Sequence, residues 1–160
     1  MAMDPNAKKR ALRMLTYGLY VATSREESGP AAGTINWISQ SSFTPPLVMA
    51  AIKDGSGLRR AIAASRVFAV HIVSKSQKEM AAAFFKGAQP SGNLLNGYRV
   101  ENGETGVPLL IDAVAWFECR VVNEITGGDH IIFVGEVVSA GVRSDEEPLT
   151  LRETGFAYGG

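Results

Sequence analysis

The chain has 160 residues, 46% of them hydrophobic and 20% charged, which fits one soluble domain over residues 1–160 with a real core. Its 16 Lys+Arg balance its 16 Asp+Glu, so no whole-chain field draws in nucleic acid or anionic lipid, and little repels a second copy. The single cysteine, Cys119, excludes an internal disulfide and fits a reducing cytoplasm, and no apolar run reaches membrane-spanning length.

From the N-terminus, Asn6 to Thr16 places Ala11, Leu12 and Leu15 at helical spacing among Lys and Arg, which predicts a short amphipathic helix. GLYVATS, from Gly18, reads as a strand stopped by the polar turn REESGP. Thr34 to Ser42 reads as extended, and Pro45–Pro46 ends it because neither proline can donate to a ladder. LVMAAI, from Leu47, reads as a short apolar strand buried on both faces. KDGSGLRRAIAAS is a Gly-rich turn feeding a short helix, and VFAVHIVS is a further strand. Ser76 to Glu79 has capping-box spacing and predicts a helix to Phe85. From Lys86 to Gly106 the pattern dissolves into a long glycine-punctuated loop, a lid, a binding loop or a merely floppy segment. AVAWFECRVVNEI and HIIFVGEVVSAGV, joined by TGGD, predict a hairpin, and the tail TLRETGFAYGG is short. Strands that mostly follow one another directly predict a mainly β, antiparallel barrel with a few short helices. No G-x-G-x-x-G follows a strand, which argues against a Rossmann fold.

Three stretches carry candidate chemistry. GTINWISQSSFTPPLVMAAI sets Asn36, Ser39, Gln40, Ser41, Ser42 and Thr44 among Trp37 and Phe43. That mixture serves either a polar edge strand or the lining for a planar ligand with a polar rim. Alternation would place Asn36, Ile38 and Gln40 on one face, and Trp37, Ser39 and Ser41 on the other. KDGSGLRR joins Lys53 to a helix start that Ser56 can cap, either an ordinary turn or an anion site. GGDHIIFVGEV puts His130 at a strand start after Asp129, as a hydrogen-bond donor, a general acid or a strand-end residue. His71 and Cys119 read as packed in the core. Glu26–Glu27 and Glu146–Glu147 read as solvated turn residues. The histidines have no metal-ligand spacing and no G-x-S-x-G occurs, so neither a metal centre nor a serine hydrolase is expected.

In this order and at these separations the stretches resemble the flavin reductase-like, FMN-binding split-barrel family. NWISQSSFTPP is similar to the branch found as reductase domains fused to flavodiiron proteins and to related stand-alone reductases. The resemblance implies a six-stranded Greek-key barrel, a homodimer, and FMN (with FAD as an alternative) held near the subunit interface. It further implies NADH or NADPH as electron donor and a monooxygenase or other redox partner for the reduced flavin. Carried over, it points to Thr34, Asn36, Trp37, Ser39, Gln40 and Ser41 for the isoalloxazine and ribityl chain. Lys53, Ser56 and Arg59 would serve the phosphate, His130 the nicotinamide or flavin edge, and Tyr158 the site's C-terminal side. A second reading within the resemblance is an FMN protein that exchanges electrons with a protein partner without a nicotinamide donor. Two positions depart from the family pattern. Leu58 stands where many relatives have a threonine, removing a hydroxyl from the phosphate turn, and His71 stands where many have asparagine.

Overall fold

Helix α1 (Pro5–Arg13) leads into the barrel in the computed structural model, which describes residues 1–160. Asp4 caps the helix by accepting the Asn6 N–H, and Pro5 occupies its first turn, where a missing N–H costs nothing. It ends at Arg13, short of Thr16, and buries no residue. β1 (Tyr20–Glu26) then turns at Glu27–Ser28 into β2 (Gly29–Ile35), paired in register from Tyr20↔Ile35 to Glu26↔Gly29. Gly29, at φ +130°, takes a backbone angle that a side chain would resist.

The predicted extended run Thr34–Ser42 is broken. Asn36 and Trp37 lie outside any strand, and β3 (Ile38–Ser42) pairs with β4 (Leu47–Lys53) instead of with β1. The Trp37 carbonyl accepts the Ala51 N–H at 2.9 Å, which fixes the kink and cancels the simple face alternation expected across it. Phe43–Pro46 forms the turn that ends β3. β4 is not buried on both faces: Val48, Ala50 and Ile52 point into the core while Met49 is exposed. The reason is its place between β3 and β11, where only one face of the sheet is covered.

After β4, α2 (Gly57–Ser65) crosses to β5 (Val67–Ile72), and α3 (Lys78–Ala83) follows. The capping box expected at Ser76 does not form. The Ser76 hydroxyl meets Ser74, and the Gln77 amide ties the Ser74 N–H to the Asp112 carbonyl, so the groups bond across the fold rather than to the helix end. The segment read as a long loop is ordered as β6 (Pro90–Ser91), β7 (Leu94–Leu95), β8 (Tyr98–Asn102) and β9 (Pro108–Leu110), a four-stranded antiparallel sheet. Asn96 pins it: its side chain bonds the Ala83 and Gly87 carbonyls and the Gln89 N–H. β10 (Ala115–Ile125) and β11 (His130–Val142) form the predicted hairpin. The tail carries α4 (Leu151–Thr154), closed by a Thr150–Glu153 capping box that the sequence reading passed over.

The main sheet runs β2-β1-β5-β10-β11-β4-β3, all antiparallel. Its two end strands are joined by the chain itself at Asn36–Trp37. Taken as one bent strand, Gly29–Ser42 makes six, and β5 returns beside β1 in Greek-key order. One core fills the barrel, with Ala22, Ile52, Ile62, Phe68, Cys119 and Phe133 drawn from five strands and α2. A second core, including Leu19, Val21, Met80, Phe84 and Leu110, lies under α3 and the small sheet. β1 supplies alternate residues to each, Val21 to one and Ala22 to the other, which is the period-2 geometry of a strand covered on both faces.

Candidate functional site

A cleft of about 820 Å³ opens along β2, between the start of α2, the end of α3 and the C-terminal tail. β2 ends the sheet, so alternate backbone N–H and C=O groups on its outer edge have no strand partner. No backbone bond from a turn or loop takes them up either. The edge is held in place by the Thr34 hydroxyl, which donates to the Ala81 carbonyl at 2.5 Å. Beside it Asn36 is only 5% exposed, and its Nδ2 has no hydrogen-bond partner. An unpaired buried donor is costly, by about 1–3 kcal/mol, unless something in the cleft accepts from it.

The N-terminus of α2 stands on the cleft. Ser56 is its N-cap, accepting the Arg59 N–H at 3.1 Å, and Gly57 lets the backbone come close. Lys53 and Lys86 line this region, and neither makes an ion pair. Arg60 lines it too, held by Glu26 through Nη2 at 2.9 Å and Nε at 3.2 Å. Their hydrogen bonds, and then their opposite charges, raise the Arg60 pKa and lower that of Glu26. Arg59 does not line the cleft. Successive helix residues point about 100° apart, and its guanidinium turns to Asp54 at 3.3 Å. Leu58 is buried in the barrel core and borders the cleft, packing close to Gly33.

Beside that helix start the lining turns aromatic and titratable, tied to it by the Lys53–His130 register pair and the Asp54 N–H to Asp129 carbonyl bond. His130 begins β11, opposite Lys53 of β4. One ring nitrogen, Nδ1, meets Asp129 Oδ1 at 2.8 Å, and the other, Nε2, meets the Tyr158 hydroxyl at 2.7 Å. Trp37 lies against both rings, its centroid 4.5 Å from His130 and 5.1 Å from Tyr158. The hydrogen bond from His130 holds the Asp129 carboxyl below its ordinary range, while burial, and then the Asp129 charge, push the Tyr158 hydroxyl up.

Of the residues singled out from the sequence, Thr34, Asn36, Lys53, Ser56, His130 and Tyr158 line this one cleft, and Trp37 supports its aromatic part. Ser39, Gln40 and Ser41 do not line it. They sit exposed on β3, where the Ser39 hydroxyl donates to the Gln40 carbonyl and the Gln40 amide to that of Ser42. The kink at Asn36–Trp37 carries that half of the polar run onto the opposite sheet edge. Sequence reasoning missed Glu26, Arg60, Phe85, Lys86 and Phe156, all in the lining. Phe85-Lys86-Gly87 offered a signal, a helix end with an unpaired cation, but fell where the pattern had dissolved.

The Flavin reductase like domain matches residues 12–160 of this chain. The FMN reductase (NADH) SmoA of Agrobacterium fabrum is 33% identical over 151 residues, covering 94% of this chain and 83% of that protein. Diflavin flavoprotein A 1 of Synechocystis is 25% identical over 146 residues, which are 91% of this chain but 25% of that protein. The chain likewise spans only 48%, 64% and 65% of three further relatives. Among solved structures, the NADH:FAD oxidoreductase SgcE6 of Streptomyces globisporus superposes with a TM-score of 0.79, at 27% identity, over 94% of this chain and 92% of that one. Barrel, cleft and sequence therefore agree, and the chain belongs to the flavin reductase-like domain family.

Proposed function

We propose that this chain is an NAD(P)H-dependent flavin reductase that holds FMN in the cleft and supplies reduced flavin to a partner oxygenase or other acceptor. The observation that carries it is what one cleft gathers: cations and a helix N-terminus, an open strand edge with an orphaned amide, and a cluster of three rings. A flavin mononucleotide has the matching parts, an anionic phosphate, a polar chain and a flat rim-polar ring, and the volume suits such a ligand. When bound, the flavin supplies the redox chemistry, taking hydride from a reduced nicotinamide.

The protein's part is placement. Asn36 Nδ2 and the outer backbone groups of β2 serve the ring edge, while the α2 N-terminus, Lys53 and Lys86 hold the phosphate against the positive end of the helix. Ser39, Gln40 and Ser41 would reach flavin only across a subunit interface. In the aromatic part, His130 bridges Asp129 at Nδ1 and the Tyr158 hydroxyl at Nε2, a chain of groups able to hold a proton at the cleft wall. A bound flavin would need a proton alongside the hydride, and Asp129, His130 and Tyr158 are the groups that would hold it.

A homodimer accompanies this reading. Phe43 is 89% exposed, and Met49, Val122, Val138 and Val142 present further apolar surface on β4, β10 and β11. The buried, free Cys119, whose thiol burial pushes up to about 12, suits a single flavin-binding domain working in a reducing cytoplasm. No helix is long and apolar enough to cross a membrane.

The test is an absorption spectrum of the FMN-loaded protein, recorded before and after anaerobic addition of NADH and then NADPH. Bleaching by either nucleotide supports the reductase and identifies its donor. A flavin spectrum that ignores both points instead to electron exchange with a protein partner, and no flavin binding at all removes the reading.

A further inference from the structure

We infer that Glu26 limits how tightly the cleft grips a flavin phosphate, by keeping the Arg60 guanidinium for itself, so that flavin is exchanged rather than retained; this rests on the flavin reading of the cleft. Glu26 is the only Asp or Glu in the lining, and Arg60 is the only arginine. The two are engaged with each other through Nε and Nη2, while Lys53 and Lys86 stay unpaired. Backbone fixes where the carboxylate stands: Glu26 closes β1 and pairs with Gly29 across the turn into β2.

The guanidinium stands at the helix start that would hold the phosphate. Arg60 Nη2 lies 3.7 Å from where a side chain on Gly57 would begin. The Gly57 and Leu58 N–H groups, in the first turn of α2, have no acceptor within the chain. Nη2, the guanidinium atom nearest Gly57, is one of the two that Glu26 occupies, so a phosphate there must displace the carboxylate or do without a two-bond grip. Displacement needs no backbone movement, because the Arg60 side chain is 66% exposed and can rotate about its own bonds. The carboxylate also repels the phosphate directly. Hydrogen bonding from Arg60 holds the Glu26 carboxyl below its ordinary range, so the competing charge is in place at neutral pH.

The experiment compares FMN with riboflavin, which has the same ring and polar chain without the phosphate, in fluorescence titrations of the full chain. The variants are Glu26→Gln, which keeps the side chain's shape and removes its charge, and Glu26→Gln/Arg60→Gln. Glu26→Gln is expected to tighten FMN about tenfold, the worth of one charged hydrogen bond, and to change riboflavin by less than about twofold. The double variant, which removes the freed cation as well, is expected to return to within about threefold of the unmodified chain. Desalting is expected to strip FMN from the unmodified chain sooner than from Glu26→Gln. An FMN affinity that stays the same or weakens in Glu26→Gln, which would make the carboxylate a support for Arg60, overturns the inference and leaves the flavin reading intact. So does an equal gain for riboflavin, or a gain that survives in the double variant. Should the unmodified chain bind neither flavin, the flavin reading falls and the inference with it.

Discussion

The two histidines mark two regions built on different terms. His71, on β5, is fully buried and bonded on both sides by backbone. The Val21 carbonyl can only accept and the Leu110 N–H can only donate, so Nδ1 carries the proton and Nε2 is bare. Burial pushes its pKa down to about 4. His130, on β11, is bonded instead to a carboxylate and a phenol, partners that can themselves give up or take a proton. Backbone partners fix one tautomer and make a histidine a structural tie between β1, β5 and β9. Side-chain partners fix no single tautomer, which is what the proposed site calls for.

Unfolding experiments probe the first half of that contrast. His71→Ala strands the Val21 carbonyl and the Leu110 N–H inside the protein and is expected to cost roughly 3 kcal/mol or more in denaturant unfolding. His130→Ala, at the cleft wall, is expected to cost about 1 kcal/mol. Equal losses at the two sites would erase the distinction.

Acid sharpens it. Because the folded-state pKa of His71 lies below its ordinary 6.5, the unfolded chain binds a proton there that the native state refuses. Stability from this group is therefore complete above pH 6.5 and is lost as pH falls toward about 4, by about 3 kcal/mol at about 1.4 kcal/mol per pH unit. A pH series of unfolding curves on His71→Leu should lack that slope between the two values.

On the other side, His130→Phe is expected to lower kcat/KM for NADH by about a hundredfold and to alter its pH profile, with Tyr158→Phe smaller, about tenfold or less. Steady-state rates across pH separate the two. An unchanged profile in His130→Phe would reduce that histidine to a strand-end residue like any other.

The smallest effect concerns Asn36. Its orphaned Nδ2 predicts that Asn36→Ala weakens FMN about tenfold in a fluorescence titration while leaving the thermal midpoint of the flavin-free protein no lower. The same titration on Gln40→Ala is expected to change by less than about twofold for flavin bound within one chain, because that side chain bonds only its own strand.

Much of the fold was legible because it rests on local periodicity. The β10–β11 hairpin, the Ser56 cap and the Pro45–Pro46 stop are each written in a few consecutive residues. The small sheet was not, since Leu95 and Leu110 become core residues only against α3 and β1, and Asn96 acts through carbonyls up to 13 residues away. The site divides in the same way. The chain by itself put Thr34, Asn36, Lys53, Ser56, His130 and Tyr158 in separate stretches and, through a recognised family pattern, in one set. Only the tertiary structure decided that Arg60 rather than Arg59 faces the cleft, and that the polar run is cut at Asn36–Trp37 so that Ser39, Gln40 and Ser41 leave it. The reason is that residue type and local spacing set hydrogen-bonding capacity, whereas closing a barrel decides which edge each group is left facing.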